Sequence, residues 1–315
     1  MNHKARYKLL SETQSLPIFM QPWWLDAVCG NAWNVALSFD KGGNIRGALA
    51  YQTRRYWIFS AILNPHLTPY TGVWLSIDAD AKTHTRHGLE HEISKSLIEQ
   101  IPNFPLVQIC TSIDFSDALA FHWQGFRQQV KYSYLLDYPI DINAFFKYVR
   151  ADIRGAYRFG EQYYTVKCIE DVAVFYEFNQ LAFSRKGQKI PYTLALVQRI
   201  DAACKARNAR TIYVAYLGDV PLAMLYAVHD SQTTTNLMNA FDPSIKDNKG
   251  KSFLLCHAIK VAAERGHRFD FEGSMLPGVE FFVRGFGGVA KPYYVFSKAK
   301  NRFWRVINYV LGNRF

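Results

Sequence analysis

The segment FDFEGSM (269–275), followed closely by VEFFVRGFGG (279–288), is the part of the sequence that best predicts the fold. Aromatic and acidic residues alternate in the first stretch. This predicts a short strand with both phenylalanines on one face and Asp270 and Glu272 on the other. The glycine after the strand predicts a tight turn. The second stretch predicts an aromatic helix that ends at its glycines.

The residues upstream of this segment predict three strands and a helix. Alternating apolar and polar residues predict the strands, and apolar residues at every third or fourth position predict the helix. The predicted strands are residues 211–217, 220–228 and 233–241, and the predicted helix is residues 252–265. Gly266 is a typical helix stop. With the acidic strand, these elements make one α/β unit.

The first half of the chain shows the same order of elements. It predicts a helix, a hairpin, a proline-rich loop, a second helix and a strand, at residues 22–30, 33–53, 64–70, 86–100 and 106–111. The two halves also end alike, because FHWQGFRQQVKYSYLL (121–136) is similar to FFVRGFGGVAKPYYVF (281–296). A repeated order of this kind favours a duplicated unit.

The polar segment DYPIDIN (137–143) is the best candidate for the boundary between the two halves. We therefore predict an α/β (α+β) protein of two lobes, residues 1–140 and 141–315, each with a mixed, mostly antiparallel sheet flanked by helices. A helix predicted at residues 144–159 carries basic side chains on one face, at Lys147, Arg150, Arg154 and Arg158. This face is either solvated or a basic wall along a substrate cleft.

The composition is that of a folded, basic protein. Hydrophobic residues make up 49% of the 315 residues and charged residues 20%, which is enough apolar sequence to form a large hydrophobic core. The net charge of +11 favours anionic partners such as phosphates, nucleic acid or an acidic membrane, although a merely soluble basic protein is the alternative. Residues 281–315 contain no acidic residue and carry Arg284, Lys291, Lys298, Lys300, Arg302, Arg305 and Arg314.

Cysteine usage and hydropathy limit the cellular context and the kinds of site. The five cysteines are scattered and none has CxxC spacing, which argues against a disulfide framework or a structural zinc site. Three histidines at helical spacing (84–91) fit an exposed helix start better than a metal site, so we expect no metal. The sequence shows neither a signal peptide nor an apolar run of the ~20 residues that span a membrane. We expect a cytoplasmic protein, with a peripheral position at the inner membrane face as the alternative.

Four segments carry a resemblance to a known family: PIFMQPWWLDAVCG (17–30), VRADIRGAYRFG (149–160), FDFEGSM (269–275) and VEFFVRGFGG (279–288). The order of strands and helix, closed by the FGG segment, resembles GNAT acyltransferases. The whole chain resembles their two-lobed relatives, the Fem (FemAB-like) peptidoglycan aminoacyltransferases. The last two segments are the most specific, and the resemblance spans nearly the full length.

The resemblance implies transfer of an acyl or aminoacyl group to a primary amine. The implied donor is acyl-coenzyme A or aminoacyl-tRNA, so tRNA is an implied partner. The implied acceptor is an amine-bearing small molecule, a peptide or a cell-wall precursor. The alternative is a non-catalytic GNAT-fold module that binds tRNA or an anionic glycolipid.

The loop at residues 246–252 is the predicted donor-binding loop. It precedes a helix whose first N–H groups are unpaired and whose dipole end is positive, which favours anions. The predicted donor-binding residues are Lys246, Asn248, Lys249, Gly250, Lys251 and Ser252. The alternative is a lysine-rich surface turn with Ser252 as the N-cap. Ile245 stands where a nucleotide-binding P-loop needs glycine, so GKS (250–252) is not that motif.

This loop departs from the GNAT pattern. Enzymes of that family that use acyl-coenzyme A usually carry Q/R-x-x-G-x-G/A there, whereas DNKGKS (247–252) has Asp at the first position and Ser at the last. Fem-type enzymes also lack a good copy, because their donor is an aminoacyl-tRNA. The departure weakens the acyl-coenzyme A alternative without excluding it.

Candidate catalytic residues follow from the chemistry of an amine acceptor, which must lose a proton before it attacks. Two close carboxylates raise one pKa of the pair, which suits Asp270 and Glu272 as general base; the alternative is that they orient a basic side chain or a loop. Tyr293 is the predicted proton donor to the leaving group. The predicted substrate-binding residues are Arg150, Arg154, Arg284 and Tyr294. Packing in the core or at its rim is the alternative for each aromatic.

The basic end of the chain, KNRFWRVINYVL (300–311), predicts an amphipathic helix. Its apolar residues lie on one face, and its lysine and arginines lie largely away from that face. Such a helix either docks on its own domain or rests on an anionic membrane. Membrane contact fits a lipid-linked cell-wall precursor as the acceptor.

Overall fold

The computed structural model of the chain describes residues 1–56, 59–78, 80–245, 249–273 and 275–312. The chain forms two compact units. Unit 1 comprises residues Met1–Lys131 and Pro292–Phe315, and unit 2 comprises residues Tyr132–Lys291. Within the described ranges, no helix is both long and apolar enough to cross a membrane.

The helices and strands are numbered in chain order. In the first part of the chain they are α1 (His3–Thr13), α2 (Pro22–Cys29), β1 (Trp33–Phe39), β2 (Ile45–Arg55), β3 (Ser60–Leu63), β4 (Trp74–Leu75), α3 (Thr83–Glu99), β5 (Leu106–Cys110), α4 (Ala118–Trp123) and β6 (Arg127–Leu136). They continue with α5 (Ile142–Tyr148), α6 (Ala151–Tyr163), β7 (Thr165–Ile169), α7 (Val172–Ser184), α8 (Leu194–Lys205), β8 (Arg210–Leu217), β9 (Val220–His229), β10 (Thr233–Phe241), α9 (Gly250–Glu264), β11 (Arg268–Asp270), α10 (Pro277–Arg284), β12 (Val289–Ala299) and α11 (Arg302–Gly312).

The sheet of unit 1 has the order β1-β2-β3-β5-β12, with β4 paired to β2. Its pairs are antiparallel except β3 with β5, which are parallel and are connected through α3. A parallel pair needs such a crossover, and a helix usually supplies it. The helix buries Ile93 and Leu97 in the core of this unit. In the same core, Phe121 of α4 stacks on Phe296 of β12 with ring centroids 4.0 Å apart.

The sheet of unit 2 repeats this plan. Its order is β7-β8-β9-β10-β11, followed by the end of β6, and only β10 and β11 are parallel. Here α9 is the crossover helix, and it buries Leu254 and Ile259 against Phe269 and Phe271 in one core cluster. Three antiparallel strands, a crossover helix and a parallel strand thus occur in each unit. The predicted α/β fold with mixed, mostly antiparallel sheets is confirmed.

The division of the chain differs from the two predicted segments, residues 1–140 and 141–315. Strand β12 follows α10 of unit 2 in sequence, but its residues Val295–Ala299 pair with β5 and therefore belong to unit 1. The C-terminal helix α11 follows it into that unit. The pairing partner of a strand is not encoded in its own alternation of apolar residues, so the pattern predicted β12 without predicting this exchange.

The helix predicted at residues 144–159 is wrong as a single element, because it is two helices. Val149 and Arg150 both have extended backbone with ψ near 140° between α5 and α6. The N–H of Arg150 donates to the carbonyl of Gly285 at 2.8 Å instead of continuing the first helix. The side chain of Asp141 caps α5 by accepting from two backbone N–H groups. The four basic residues therefore do not form one continuous helical face.

Candidate functional site

The strands β10 and β11 of unit 2 part soon after they pair. Their parallel register covers Thr233–Thr235 against Arg268–Asp270, and β10 then continues to Phe241 paired with β9. Against its other neighbour, β9, strand β10 contains a bulge, because the register passes from Asn236 directly to Met238. A bulge takes one residue out of the ladder and is common next to active sites. The bulge and the end of the parallel pairing together take backbone groups of β10 out of the two ladders at this point.

Asp270 anchors the turn that ends β11. Its side chain is only 3% exposed, and Oδ1 accepts from the hydroxyl of Ser133 at 2.5 Å and from the backbone N–H of Glu272 at 2.8 Å. Asp270 therefore fixes the backbone of this turn by accepting the N–H of Glu272.

Glu272 lies in the left-handed region with φ +62°, and Gly273 follows it with φ +66°. A residue with a side chain rarely adopts this conformation, and such residues cluster at functional sites. The strand ends at Asp270, so Glu272 is half-buried in a turn. The prediction that the two acids share a strand face is wrong, because the backbone turns between them.

Gly273 is required by close packing as well as by its backbone angle. A Cβ built there would lie 2.2 Å from the carbonyl oxygen of Tyr132 and 2.6 Å from the Cα of Ser133. Both contacts are with backbone, so neither can be relieved by rotating a side chain. The turn that presents Glu272 is thus fixed against strand β6.

Gly273→Ala is expected to lower the free energy of unfolding by roughly 3 kcal/mol or more, because strain in φ adds to a backbone clash. The matched control is Gly218→Ala, which has a similar φ of +58° but no atom within 4 Å of its Cβ among the described residues. The control should lose only about 1 kcal/mol. Urea unfolding of both variants measures the difference. Equal losses would show that the contact with Tyr132 is not tight.

Tyr192 lies near Glu272, in the loop between α7 and α8. The side-chain amide of Asn179 donates to its hydroxyl at 2.6 Å, and the hydroxyl of Tyr176 donates to its backbone carbonyl at 3.1 Å. Burial raises the pKa of Tyr192, and the negative charge of Glu272 raises it further against the opposing hydrogen bond from Asn179. Tyr192 is therefore a protonated hydroxyl close to the acidic turn. Sequence analysis missed it, because only the fold brings its loop to Glu272.

Thr235 carries a buried hydroxyl beside this turn. It is 1% exposed, and its Oγ1 has no hydrogen-bond partner among the residues that the structure describes. In the parallel register Thr235 lies opposite Asp270, and directly opposed residues share a face of the sheet. An unsatisfied buried hydroxyl costs free energy that a ligand or a water would recover. Sequence analysis missed this residue as well.

The predicted donor-binding loop leads into α9, of which the structure describes residues 249 onward. Lys249 is the N-cap residue, its Nζ lies 4.2 Å from the ring of Phe159, and Gly250 is the buried first residue of the helix. The alternative with Ser252 as N-cap is wrong, because Ser252 lies inside the first turn. The predicted residues Lys246 and Asn248 lie outside the described residues.

Lys251 is the unusual cation of this loop. Its Nζ lies 3.8 Å from the ring centroid of Phe282 and 4.9 Å from that of Phe241. It also lines a small, mostly apolar cavity between β9, β10 and α9. Burial, and then the positive charge of Lys186, lower the pKa of Lys251 to about 8. An anion bound beside it would restore the stability of its charged form.

The structure brings two of the predicted substrate-binding arginines together around one ring. The guanidinium carbons of Arg150 and Arg284 lie 4.4 Å and 5.5 Å from the ring of Phe281. Each also has an acidic partner: Arg150 forms two hydrogen bonds to Asp152, and Arg284 contacts Glu280 at 3.1 Å. A carboxylate or phosphate would have to compete with these partners.

Arg154, the third predicted arginine, lies in a different place. It donates to the carbonyls of Phe146 and Lys147 at the end of α5. It lines an open pocket of about 520 Å³ together with Asn143, Phe146, Lys147, Tyr157, Arg158 and Glu161. Three of the four basic residues predicted to form one face, Lys147, Arg154 and Arg158, therefore line a pocket between α5 and α6, whereas Arg150 does not line it.

The predicted tyrosines lie in unit 1, whereas the predicted acids lie in unit 2. The carbonyl of Tyr294 accepts from the backbone N–H of Thr111 at 2.9 Å, and its ring packs beside Phe296 at 5.7 Å. Tyr294 thus contributes to packing in unit 1, and Tyr293 is half-buried on the same strand. Across the described part of the chain, no group of three or more His, Cys, Asp or Glu residues is arranged to hold a metal.

The family comparison matches unit 2. Residues 147–282 match the family model described as the acetyltransferase (GNAT) domain. This range contains α6 to β11, the acidic turn and the start of α9. No curated protein matches the chain in sequence.

Solved structures are similar over nearly the whole chain. The crystal structure of FemX matches with a TM-score of 0.66 and 12% identity, covering 93% of this chain and 94% of that one. The structure of L-PGS from Bacillus licheniformis matches with a TM-score of 0.58 and 11% identity over 99% and 96%. The C-terminal domain of a putative lysylphosphatidylglycerol synthetase from Agrobacterium fabrum matches with 0.54 and 11% over 93% and 91%. At such identities the likeness is one of fold.

Proposed function

We propose that this chain, which carries a GNAT acyltransferase domain and resembles the Fem-type enzymes in fold, transfers an acyl or aminoacyl group from an activated donor to a primary amine. The observation that carries the proposal is the acidic turn of unit 2. There Glu272 is held in a strained conformation by buried Asp270, where β10 and β11 part. All the residues needed for the core of the mechanism belong to unit 2.

The start of α9 is the proposed donor site. Its first N–H groups lie at the positive end of the helix dipole, and Lys249 and Lys251 add charge. Acyl-coenzyme A and aminoacyl-tRNA both carry phosphates that such a site binds. The same helix follows the bulged strand β10 in the chain, which supports a donor carbonyl lying beside the bulge.

Glu272 is the proposed general base, and Asp270 is the residue that positions it. The carboxylate of Glu272 takes a proton from the ammonium of the acceptor, directly or through a water, and frees the lone pair for attack. The nitrogen then forms a bond to the donor carbonyl carbon. Backbone N–H groups at the bulge of β10 stabilise the oxyanion.

Collapse of the tetrahedral intermediate breaks the bond to the leaving group, a thiolate or a ribose alkoxide, which must gain a proton. Tyr192 is the proton donor that we propose, because it lies near Glu272 and its hydroxyl, which accepts from Asn179, keeps its own O–H to donate. The role of Tyr293, the proton donor predicted from the sequence, stays a prediction. The nitrogen loses its second proton to Glu272 after Glu272 has released the first one to water, and the tyrosinate regains a proton from water. No covalent enzyme intermediate is needed, and the rate enhancement comes mainly from proximity and electrostatics.

The acceptor that we propose is a primary amine of a cell-wall precursor, in keeping with the resemblance to Fem-type enzymes. The arginines around Phe281 and the pocket that contains Arg154 are the proposed binding sites for its anionic groups. Their basic character fits an acceptor that carries phosphate or carboxylate.

A transfer assay tests the proposed function. Radiolabelled acetyl-coenzyme A and aminoacyl-tRNA are offered separately, with a panel of amines that includes peptidoglycan precursors. We expect one donor to label an amine, and we expect that labelling to need the native acidic turn. Binding of tRNA or glycolipid without transfer from either donor would instead support a non-catalytic module.

A further inference from the structure

The C-terminal helix α11 docks on unit 1 with only part of its apolar surface. The ring of Trp304 contacts that of Phe59 edge to face at 4.4 Å, and Ile307 packs against the same small core cluster. Asn301 caps the helix by accepting from the backbone N–H of Trp304. Trp304 and Ile307 are three residues apart and therefore lie on the same side of the helix.

A second apolar pair on α11 remains uncovered. Phe303 is 64% exposed and Val306 is 63% exposed, and they too are three residues apart. Each precedes an inward-facing residue by one position, so the exposed stripe borders the docked one. Docking on unit 1 thus accounts for Trp304 and Ile307 but not for this stripe.

Basic residues surround the exposed pair. Lys300, Arg302 and Arg305 are all exposed, and residues 281–315 contain no acidic residue. Helices that lie in the interface of an anionic membrane typically combine an exposed apolar stripe with neighbouring basic residues, as α11 does.

The turn between β2 and β3 extends the same surface. Phe59, the partner of Trp304, is stacked on Tyr56 at 4.7 Å, and exposed Arg55 precedes them. The sequence of this turn is Arg-Arg-Tyr-Trp-Ile-Phe (54–59), of which residues 57 and 58 lie outside the described residues. Aromatic rings flanked by arginines favour the water–lipid boundary.

We propose that α11, together with Arg55, Tyr56 and Phe59, forms a docking surface for an anionic phospholipid bilayer. The apolar stripe enters the boundary between headgroups and acyl chains, and the arginines contact lipid phosphates. With 11 residues the helix is about 16 Å long, so it lies along the surface instead of crossing it. Nucleic acid is the weaker alternative, because phosphate contacts would use the arginines but give no role to Phe303 and Val306. The surface lies in unit 1 and does not depend on the proposed chemistry of unit 2.

Vesicle co-sedimentation with the full chain tests the proposal. One set of vesicles contains phosphatidylcholine alone and the other also contains about one third phosphatidylglycerol. Wild type should bind the anionic set and lose binding as salt increases. Arg302→Gln/Arg305→Gln should weaken binding about 25-fold, given roughly a fivefold contribution from each basic residue. Phe303→Ser/Val306→Ser should weaken it by at least about tenfold.

Two control variants test whether vesicle binding depends on this surface or only on the total number of exposed apolar and positively charged side chains. Leu217→Ser/Val220→Ser removes an apolar pair at the β8–β9 turn that is 48% and 54% exposed, and Lys41→Gln/Lys189→Gln removes two exposed positive charges elsewhere. Both controls should bind vesicles like wild type. Because all the substituted residues are exposed, circular dichroism and thermal unfolding should remain unchanged.

Equal binding of wild type to both vesicle sets would overturn the proposal. Binding by the Phe303→Ser/Val306→Ser variant at wild-type strength would also overturn it. If an unrelated duplex RNA bound tightly through the arginines, and serine at positions 303 and 306 had no effect on vesicles, the surface would be assigned to nucleic acid instead.

Discussion

Replacing Glu272 by glutamine is expected to lower kcat for acyl transfer by about 10²–10⁴-fold, because an amide cannot take a proton from the acceptor. The substitution preserves the size of the side chain and the backbone of the turn. Binding of the donor should therefore change little, and the loss should appear in kcat and in kcat/KM together.

The pH dependence sharpens this prediction. In wild type, kcat/KM should rise with pH as the base loses its proton and the acceptor becomes neutral. In the Glu272→Gln variant, kcat/KM should rise only because the acceptor amine becomes neutral. Chemical unfolding should be nearly unchanged, and Glu264→Gln, at an exposed position in the last turn of α9, is the control for a lost charge. Full activity of Glu272→Gln would remove this residue from the mechanism.

Asp270→Asn distinguishes positioning from proton transfer. An asparagine keeps one oxygen that can still accept from Ser133 and from the N–H of Glu272. A positioning role therefore predicts a smaller loss of kcat than at Glu272, with the shape of the pH profile retained. A loss as deep as that of Glu272→Gln with an altered profile would make Asp270 the base.

Lys251→Met is the second substitution with a large expected effect, and it should change binding and stability in opposite directions. Loss of a cation beside bound phosphate should weaken binding of the donor about 10–100-fold. Because the pKa of Lys251 is about 8, wild-type affinity should fall as pH rises through 8, whereas the variant should show no such step. Calorimetry with coenzyme A and filter binding with charged tRNA measure both.

The stability effect follows from the same lowered pKa. At pH 7 the folded protein must hold a charged lysine among apolar groups, so methionine should raise the free energy of unfolding. The unfolded chain binds this proton more tightly, and wild-type stability therefore rises between pH 8 and about 10.5. The advantage of the variant, at most about 3 kcal/mol at pH 7, should shrink over that range.

Lys41→Met is the control for Lys251→Met. Lys41→Met alters an exposed lysine in the β1–β2 turn and should affect neither donor binding nor the pH dependence of stability. A Lys251→Met variant that binds donors like wild type would exclude Lys251 from the donor site. A constant stability difference from pH 7 to 10.5 would show that Lys251 is not desolvated in the folded protein.

Elements with strong local signals were predictable from the sequence. The helix behind Pro22 ends at Gly30, which has φ +58°, as a helix stop requires. The strands β8, β9 and β10 lie within two residues of their predicted bounds, because each alternates or is continuously apolar between clear turns. The repeated order of elements was also visible, since each unit needs the same crossover helix between its parallel strands.

Other elements depend on contacts that no local pattern records. Helix α7 was not predicted, because Val174 and Leu181 are exposed while Phe175 and Asn179 are buried, so its apolar residues give no single stripe. The break at Arg150 depends on the carbonyl of Gly285, far away in sequence. The exchange of β12 into unit 1 depends likewise on its pairing with β5.

The candidate site was predictable in its charges but not in its geometry. The sequence indicated that an acidic strand and a basic helix start belong to one chemistry, and both lie in unit 2. It did not indicate that Asp270 is buried beneath the turn or that the backbone of Glu272 is in the left-handed region. Alternation of aromatic and acidic residues predicts instead that both acids lie on the same face of a strand. It also missed Tyr192 and Thr235, whose roles depend on neighbours distant in sequence.

N-acyl transfer at the acidic turn is tested by analysing the bond that wild type forms from a radiolabelled donor and a primary amine. We expect label in a product that is stable to neutral hydroxylamine, as an amide is, and we expect this product to be lost in Glu272→Gln. Label released only as free acid, or held in a hydroxylamine-labile ester, would exclude N-acyl transfer at this turn.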